Sequence, residues 1–162
     1  MLKENITISY LRAKFNDLTA IEKELIQRSK DALKDAYAPY SGFLVGSSVL
    51  LSDGEIISAN NQENVAFPSG LCAERVVLFN AGANYPNLEI DIIAVSAKSN
   101  LYEITDIISP CGACRQVMAE YQEKQNKKIK ILLHLNNDDV LIFSSVDDLL
   151  PLLFTNPNLK KI

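Results

Sequence analysis

Apolar residues recur along the chain with helical spacing in several segments, and each of these segments predicts a helix. A capping-box pattern at Thr19 predicts a helix that runs to about Ala36, with its apolar side chains on one stripe. Two further helices are expected at residues 71–83 and 111–124. A last, short helix is expected from Ser145, which precedes two acidic residues typical of a first turn.

Other segments are apolar and β-branched without helical spacing, and these segments predict strands. The strands are expected at residues 43–51, 55–59, 90–95, 129–135 and 140–143. The first two are joined across Ser52-Asp53-Gly54, which is typical of a hairpin turn. The order of helices and strands predicts an α/β fold, with a mixed central sheet of about five strands and helices on both faces.

The chain has the organisation of one continuous domain with short additions at its ends. We find no internal repeat and no Gly/Ser-rich linker. Ile6–Tyr10 alternates like a short edge strand and stands apart from the rest. We therefore expect an N-terminal extension over residues 1–18, a main domain over residues 19–156 and a C-terminal tail over residues 157–162.

Composition and charge exclude several classes of partner. The 162 residues carry a net charge of −4, and residues 40–121 hold nine acidic and three basic side chains, a local charge of −6. Polynucleotides bind basic surfaces, so we expect no nucleic acid partner. No apolar run reaches the roughly 18 residues of a membrane span, and no secretory signal is visible. We expect a cytoplasmic protein with no membrane partner.

Three cysteines and one histidine narrow the candidate chemistry further. A single histidine excludes metal sites that need two imidazoles, among them the zinc sites of H-E-x-x-H proteases. Three cysteines cannot all pair within one chain, so a disulfide framework is a poor interpretation. Three free thiols, or three thiolates on one metal ion, remain.

Each cysteine lies at the predicted start of a helix. Cys111 and Cys114 form a C-x-x-C pair after Pro110, which alone fits a redox dithiol, half of a zinc site or buried packing thiols. Cys72 lies at the start of the preceding helix. Together the three thiolates would leave one position of a tetrahedral zinc for water, which is typical of catalytic zinc.

Charged residues directly follow the candidate ligands. Glu74 lies two residues after Cys72, where a carboxylate can take and return a proton without binding the metal. The alternative for Glu74 is a first-turn glutamate favoured by the helix dipole. Three thiolates on Zn²⁺ leave surplus negative charge, and Arg75 and Arg115 are candidates to compensate it. The alternative for each arginine is a solvated first-turn side chain.

With these motifs the chain resembles the small, homotetrameric cytidine deaminases of pyrimidine salvage, within the zinc-dependent cytidine and deoxycytidylate deaminases. Zinc nucleobase deaminases combine a ligand, a glutamate two positions later and a P-C-x-x-C motif, as this chain does from Cys72 to Cys114. The matching stretches follow the family's order and lie at Ala38–Gly46, Asp53–Gly54, Asn61–Asn64, Cys72–Arg75, Ser109–Val117 and Leu149–Phe154. The resemblance does not cover residues 1–18.

The resemblance implies a three-layer α/β/α cytidine deaminase-like fold and a catalytic domain over residues 19–156. It implies hydrolytic deamination of cytidine and deoxycytidine to uridine and deoxyuridine, with release of ammonia. One Zn²⁺ per chain is expected on Cys72, Cys111 and Cys114. Glu74 is expected to protonate N3 of the ring and then the departing ammonia.

Substrate-binding residues also follow from the resemblance. Asn61 and Glu63 match the family's ribose-binding pair, and Phe43 would line the pocket near the base. The backbone carbonyl of Ala73 is expected to accept a hydrogen bond from the exocyclic amine. Phe154 would stack on the base from a neighbouring subunit, in a homotetramer with composite active sites.

The sequence departs from the family pattern at three positions. Ser47 and Ser48 stand where the family commonly has alanines, so two buried hydroxyl groups must find hydrogen-bond partners. Phe67 stands where an aromatic residue with a hydroxyl group is usual, and one hydrogen bond is lost there.

Two alternatives remain open at this point. A deaminase of another aminopyrimidine, such as blasticidin S, would share the zinc core, and the pair of Asn61 and Glu63 is the feature against it. A zinc-stabilised binding module or a redox dithiol without hydrolase activity is the second. A structural zinc would need a fourth ligand, and His134, in an apolar strand, is expected to be a core or sheet residue with its own hydrogen-bond partner instead.

Overall fold

Six strands form a single mixed sheet in residues 1–155, the part of the chain that this computed structural model describes. The strands are β1 (Leu11–Lys14), β2 (Phe43–Leu51), β3 (Ile56–Asn60), β4 (Ile90–Ser99), β5 (Lys130–His134) and β6 (Asp139–Phe143). The helices are α1 (Ala20–Ala32), α2 (Ala73–Asn84) and α3 (Gly112–Gln125). The expected strand count of about five was one too few, because the N-terminal segment adds β1. Residue 156 and the expected tail 157–162 lie outside the described residues.

The strand order brings the starts of α2 and α3 to the same end of the sheet. The order is β1-β6-β5-β4-β2-β3, and β4 and β5 are the parallel pair among the described strands. A parallel pair needs a long crossover, which contains α3. Asn60 at the end of β3 pairs with Gly46, and Gly46 pairs with Ser96 near the end of β4. Strands β3 and β4 lie on either side of β2 and end on the same side, so the chain leaves the sheet towards α2 and towards α3 from the same end of the sheet.

The helices cover both faces of the sheet, which confirms the three-layer prediction. Val77 of α2 and Met118 of α3 are fully buried in one cluster with Ile93 of β4. On the opposite face, Leu25 of α1 is fully buried in a second cluster with Ala94 of β4. Successive residues of β4 thus serve two different cores, as expected for a strand buried on both faces.

Local signals set the helix starts and the hairpin turn as expected. The Thr19 side chain accepts from the backbone N–H of Glu22, and the Glu22 side chain accepts from the backbone N–H of Thr19, which completes the capping box. Helix α1 ends at Ala32 rather than Ala36, since residues 33–35 tighten into a 3₁₀ turn. Gly54 has a φ of 93° in the turn between β2 and β3, a conformation that glycine adopts without strain.

The N-terminal strand lies five residues later in the chain than the sequence pattern predicts. The prediction at Ile6–Tyr10 is wrong, and β1 begins at Leu11 and pairs antiparallel with β6. Lys14 lies opposite Asp139 in this register, and their side chains form an ion pair of 2.5 Å. Arg12 also reaches Asp139, at 3.2 Å. The partners of β1 are thus distant in sequence, and short-range alternation cannot reveal them.

The two unusual serines of β2 find the partners that burial requires. Ser47 Oγ donates to the carbonyl of Ala94 at 3.0 Å, and Ser48 Oγ donates to the carbonyl of Leu25 at 2.7 Å. Both residues are fully buried. Their hydroxyl groups therefore link β2 to β4 on one side and to α1 on the other. None of the helices within residues 1–155 is long and apolar enough to cross a membrane.

Candidate active site

The three cysteines meet where α2 and α3 begin. Cys72 is the N-cap residue of α2 and Cys111 is the N-cap residue of α3, while Cys114 lies in the first turn of α3. Neither cap side chain makes a capping hydrogen bond within the described residues. The Sγ atoms of Cys72 and Cys111 are 3.9 Å apart, and those of Cys111 and Cys114 are 3.4 Å apart. The fold therefore brings together all three expected ligands.

The spacing of the sulfur atoms fits one zinc ion. Tetrahedral Zn²⁺ with Zn–S bonds of about 2.3 Å holds its sulfur ligands about 3.8 Å apart. All three Sγ atoms lie within 4.8 Å of one another. Within residues 1–155 this cluster contains no histidine, and His134 lies on β5 with its Nε2 3.3 Å from Asp138 Oδ1. The expectation that His134 is a sheet residue is confirmed, and it does not complete a structural zinc shell.

Glu74 is a buried acid beside the thiols. It lies in the first turn of α2 and is 4% exposed. Burial, and secondarily the charge of Cys72, raise the pKa of Glu74 to about 7. Its Oε2 atom is buried and has no hydrogen-bond partner within the described residues. A first-turn glutamate that merely favours the helix dipole would be solvated, so its burial supports a role in chemistry.

Of the two arginines that follow the expected ligands, Arg75 interacts with the thiols and Arg115 with the backbone. A hydrogen bond from Cys114 and the guanidinium of Arg75 lower the pKa of Cys72 to about 5, although burial opposes the shift. Arg75 therefore supplies the expected positive potential at the thiols. Arg115 instead binds the backbone: it donates to the carbonyl of Pro110 at 2.7 Å and to that of Leu149 at 2.6 Å.

Cys72 and Cys111 line a pocket of about 300 Å³. Its walls come from β2, from the loop between β3 and α2, and from the loop before α3. Residues that line it are Ser41, Phe43, Val45, Asn61, Gln62, Glu63, Gly70, Leu71, Cys72, Glu74, Val95, Ile108, Ser109, Pro110 and Cys111. The expected substrate residues Phe43, Asn61 and Glu63 are among them, while Ala73 is fully buried and is not a lining residue.

Phe154 does not line this pocket in the part of the chain that the structure describes. It is 65% exposed, and its carbonyl accepts a 2.8 Å hydrogen bond from the side chain of Gln116. Phe67 is 75% exposed and meets the ring of Tyr40 edge-on, with 5.9 Å between ring centroids. Both aromatic rings thus lie largely on the surface of the single chain.

Asn61 binds the start of β2, and Glu63 binds the turn directly before it. Asn61 Nδ2 donates to the carbonyl of Phe43 at 2.9 Å, and Asn61 Oδ1 accepts from the N–H of Val45 at 2.8 Å. Glu63 accepts hydrogen bonds from the turn before β2, and the bond from Ser41 is the main cause that lowers its pKa. Sequence motifs pointed to the stretch around Ser41 but not to this contact, since the partners are 22 residues apart.

The chain matches the family model described as the cytidine and deoxycytidylate deaminase zinc-binding region, over residues 19–129. It is 38% identical over 131 residues to a cytidine deaminase of Halalkalibacterium halodurans, an alignment that covers 81% of this chain and 92% of the relative. A cytidine deaminase of Sporosarcina psychrophila is 39% identical over 99 residues, with 61% of this chain and 68% of the relative covered.

Solved structures agree with this family. The crystal structure of a cytidine deaminase from Burkholderia pseudomallei matches with a TM-score of 0.68 at 34% identity, and the match covers 85% of this chain and all of that one. A cytidine deaminase from Mycobacterium tuberculosis matches with a TM-score of 0.62 at 28% identity, over 83% of this chain and 97% of that one. The chain belongs to the family of zinc-dependent cytidine and deoxycytidylate deaminases.

Proposed function

We propose that this protein hydrolyses cytidine and deoxycytidine to uridine and deoxyuridine, with release of ammonia. The observation that carries the proposal is the buried carboxyl group of Glu74 beside the cluster of three cysteine thiols in a nucleoside-sized pocket. The relatives named as cytidine deaminases, and the match over most of the chain, support the same reaction.

Cys72, Cys111 and Cys114 are proposed to hold one Zn²⁺ per chain. When bound, zinc supplies a water whose pKa is lowered towards neutrality, so that a nucleophile is available at physiological pH. Arg75 offsets the surplus negative charge of three thiolates. Its positive charge also lowers the pKa of Cys72. Arg115 acts one step further away, by fixing the carbonyl of Pro110 directly before the second ligand.

Glu74 is proposed to move both protons of the reaction. Its pKa of about 7 lets it accept and return protons near neutral pH. It takes a proton from the attacking water and delivers it to N3 of the pyrimidine, which makes C4 electrophilic. The water oxygen adds to C4, and Glu74 then passes the second proton to the amine. The C4–N4 bond breaks, and ammonia leaves.

The pocket residues are proposed to orient the nucleoside. Asn61 keeps one N–H and one lone pair free after its two contacts with β2, so it can still bind a hydroxyl group. Glu63 has a lone pair left for a second sugar contact. Phe43 packs on the base, and the carbonyl of Ala73 accepts from the exocyclic amine. The pair of Asn61 and Glu63 is the feature that favours a nucleoside over an antibiotic such as blasticidin S.

The protein is proposed to work in the cytoplasm as a homotetramer with composite active sites. Free thiols that must bind metal are kept reduced in that compartment. Phe154 is largely exposed and lies outside the pocket of its own chain, which supports a role in the pocket of a neighbouring subunit. The exposed ring of Phe67 is proposed to lie in a subunit contact.

The test compares wild-type protein with Glu74→Gln by the loss of cytidine absorbance, with zinc content measured for both. We expect about one zinc per chain in each protein and a fall in kcat of roughly 10²–10⁴-fold for the variant. Glu120→Gln is the matched control, because Glu120 is an exposed glutamate on α3. Zinc-loaded wild type that leaves cytidine untouched, or an active Glu74→Gln, contradicts the proposal. Faster turnover of blasticidin S than of cytidine would contradict the substrate assignment.

A further inference from the structure

One hydroxyl group on the rim of the pocket connects two of the proposed substrate residues. Ser41 Oγ donates a 2.5 Å hydrogen bond to Glu63 Oε1, and it accepts a 3.0 Å hydrogen bond from the backbone N–H of Phe43. Ser41 is exposed and lines the pocket with both partners. The next residue, Gly42, has a φ of 61°, a left-handed turn that leads the chain from Ser41 into β2.

The turn before β2 takes up most of the accepting capacity of Glu63. Its Oε2 accepts from the backbone N–H of Tyr40 at 2.9 Å and from that of Ser41 at 3.3 Å. With the Ser41 hydroxyl on Oε1, three donors share a carboxylate that offers about four lone pairs. The Ser41 hydrogen bond also keeps the pKa of Glu63 below its ordinary value, so the group stays ionised. One lone pair is left, and its direction depends on Ser41.

Phe43 is fixed from both sides by side chains of the same pocket. Its N–H donates to Ser41 Oγ, and its carbonyl accepts from Asn61 Nδ2 at 2.9 Å. Ser41, Phe43, Asn61 and Glu63 therefore form one connected hydrogen-bond network, which we call the rim network. Loss of the Ser41 hydroxyl would free the Glu63 carboxylate to rotate and leave the N–H of Phe43 without this partner.

We propose that Ser41 is a positioning residue for the sugar of the substrate, because its hydroxyl aims the remaining lone pair of Glu63 at a sugar hydroxyl. The inference rests on the proposed function. Ser41 itself touches neither the thiols nor Glu74, so its contribution belongs to substrate binding and not to the chemical step. Loss of binding in both ground state and transition state raises KM and leaves kcat nearly unchanged.

The experiment measures kcat and KM for cytidine and for 3′-deoxycytidine, which lacks the hydroxyl shared by cytidine and deoxycytidine. We expect Ser41→Ala to raise KM for cytidine about tenfold, with kcat within about twofold, as loss of a hydrogen bond to a charged group implies. For 3′-deoxycytidine the same variant should change KM less than about twofold. Ser41→Thr keeps the hydroxyl at an exposed position and should restore the wild-type KM. Ser58→Ala, at an exposed serine of β3, is the matched control.

The outcomes separate the inference from the proposed function. Wild type that deaminates neither nucleoside overturns both. Active wild type with an unchanged Ser41→Ala, or with an equal loss on both nucleosides, overturns the role of Ser41 alone. Thermal unfolding and zinc content are measured for each variant. If Ser41→Ala does not fold, Ser41→Thr is the deciding variant. A tenfold increase in the KM of Ser41→Thr, despite its retained hydroxyl group, contradicts the inference.

Discussion

The side-chain amide of Gln116 donates a 2.8 Å hydrogen bond to the carbonyl oxygen of Phe154. The preceding residue, Arg115, donates to the carbonyl of Leu149 at 2.6 Å. Helix α3, which carries Cys114, therefore binds both the first and the last residue of the C-terminal segment Leu149–Phe154. This links the placement of the proposed stacking residue to the helix that carries two of the proposed metal ligands.

Replacement of Phe154 by alanine is expected to raise KM for cytidine about tenfold, since stacking of an aromatic side chain on a base contributes about 1–3 kcal/mol. Gln116→Ala should raise KM in the same direction and to a smaller extent, because it releases the backbone of Phe154 without removing the ring. Steady-state kinetics with cytidine measures both effects.

Glu120→Gln, at an exposed glutamate of α3, is the control for these variants and is expected to leave KM unchanged. Mixing inactive Glu74→Gln with Phe154→Ala subunits tests whether Phe154 acts on a neighbour. In mixed tetramers some pockets then combine an intact Glu74 with an intact Phe154, and affinity for cytidine should rise above that of Phe154→Ala alone. A monomeric protein by sedimentation would contradict the proposal of composite sites.

Arg75→Ala is expected to weaken zinc retention about tenfold, the lower end of the range seen when groups behind metal ligands are removed. The guanidinium interacts with the thiols of Cys72 and Cys114, and without it three thiolates repel one another more strongly. Competition with a chelator measures the effect, and Arg75→Lys should lie between alanine and wild type because it keeps the charge. Arg28→Ala, at an exposed arginine of α1, should behave as wild type. Equal zinc retention by Arg75→Ala would show that the charge is compensated elsewhere.

The metal site could be predicted from sequence because its parts are local. Cys111 and Cys114 are one helical turn apart, and Glu74 follows Cys72 within the same turn, so each half of the site is a short motif. The two halves meet through tertiary structure, and the order of elements places the starts of both helices at the same end of the sheet. The contacts of Arg115 could not be predicted, because Leu149 is 34 residues away and neither backbone carbonyl leaves a signal in sequence.

The placement of β1 was likewise hidden from the sequence pattern. Alternation of apolar residues favours Ile6–Tyr10, but the strand that forms pairs with β6, whose residues are distant in sequence. Asp139 is 6% exposed and forms ion pairs with Arg12 and Lys14. Ion pairs between two strands that are distant in sequence can be identified only when the pairing of the strands is known.

Deletion of residues 1–18 is expected to lower the melting temperature by several degrees and to promote association at high protein concentration. The deletion removes β1 from β6, whose unpaired edge can then pair with another chain. Asp139→Asn should destabilise the full-length protein, where it loses the ion pairs with Arg12 and Lys14, and be nearly neutral in the truncated one. Thermal unfolding and light scattering measure these effects. Equal effects of Asp139→Asn in both backgrounds would contradict the proposed coupling.

Glu22 joins the start of α1 to β5. Its Oε2 accepts from the N–H of Thr19 at 2.9 Å and from Thr19 Oγ at 2.7 Å, while Oε1 accepts from Lys130 Nζ at 2.8 Å. Burial alone would raise the pKa of Glu22, but the hydrogen bonds from Lys130 and Thr19 outweigh it and hold the pKa below 4.5. A carboxylate with a lowered pKa in the folded state stabilises the fold in its ionised form.

Glu22→Gln is therefore expected to destabilise the protein at neutral pH, by about 1–3 kcal/mol from loss of charge-assisted hydrogen bonds. This contribution is fully present above the ordinary pKa of 4.5 and is lost as pH falls through the lowered pKa of the folded state. The gap in unfolding free energy between wild type and variant should thus shrink as pH falls from 7 to below the ordinary pKa of 4.5, in urea titrations at fixed protein concentration. Glu24→Gln is the control, because Glu24 is an exposed glutamate of the same helix whose pair with Arg28 contributes at most about 0.5 kcal/mol. A gap for Glu22→Gln that stays constant across this range would mean that the ionised carboxylate does not contribute to stability.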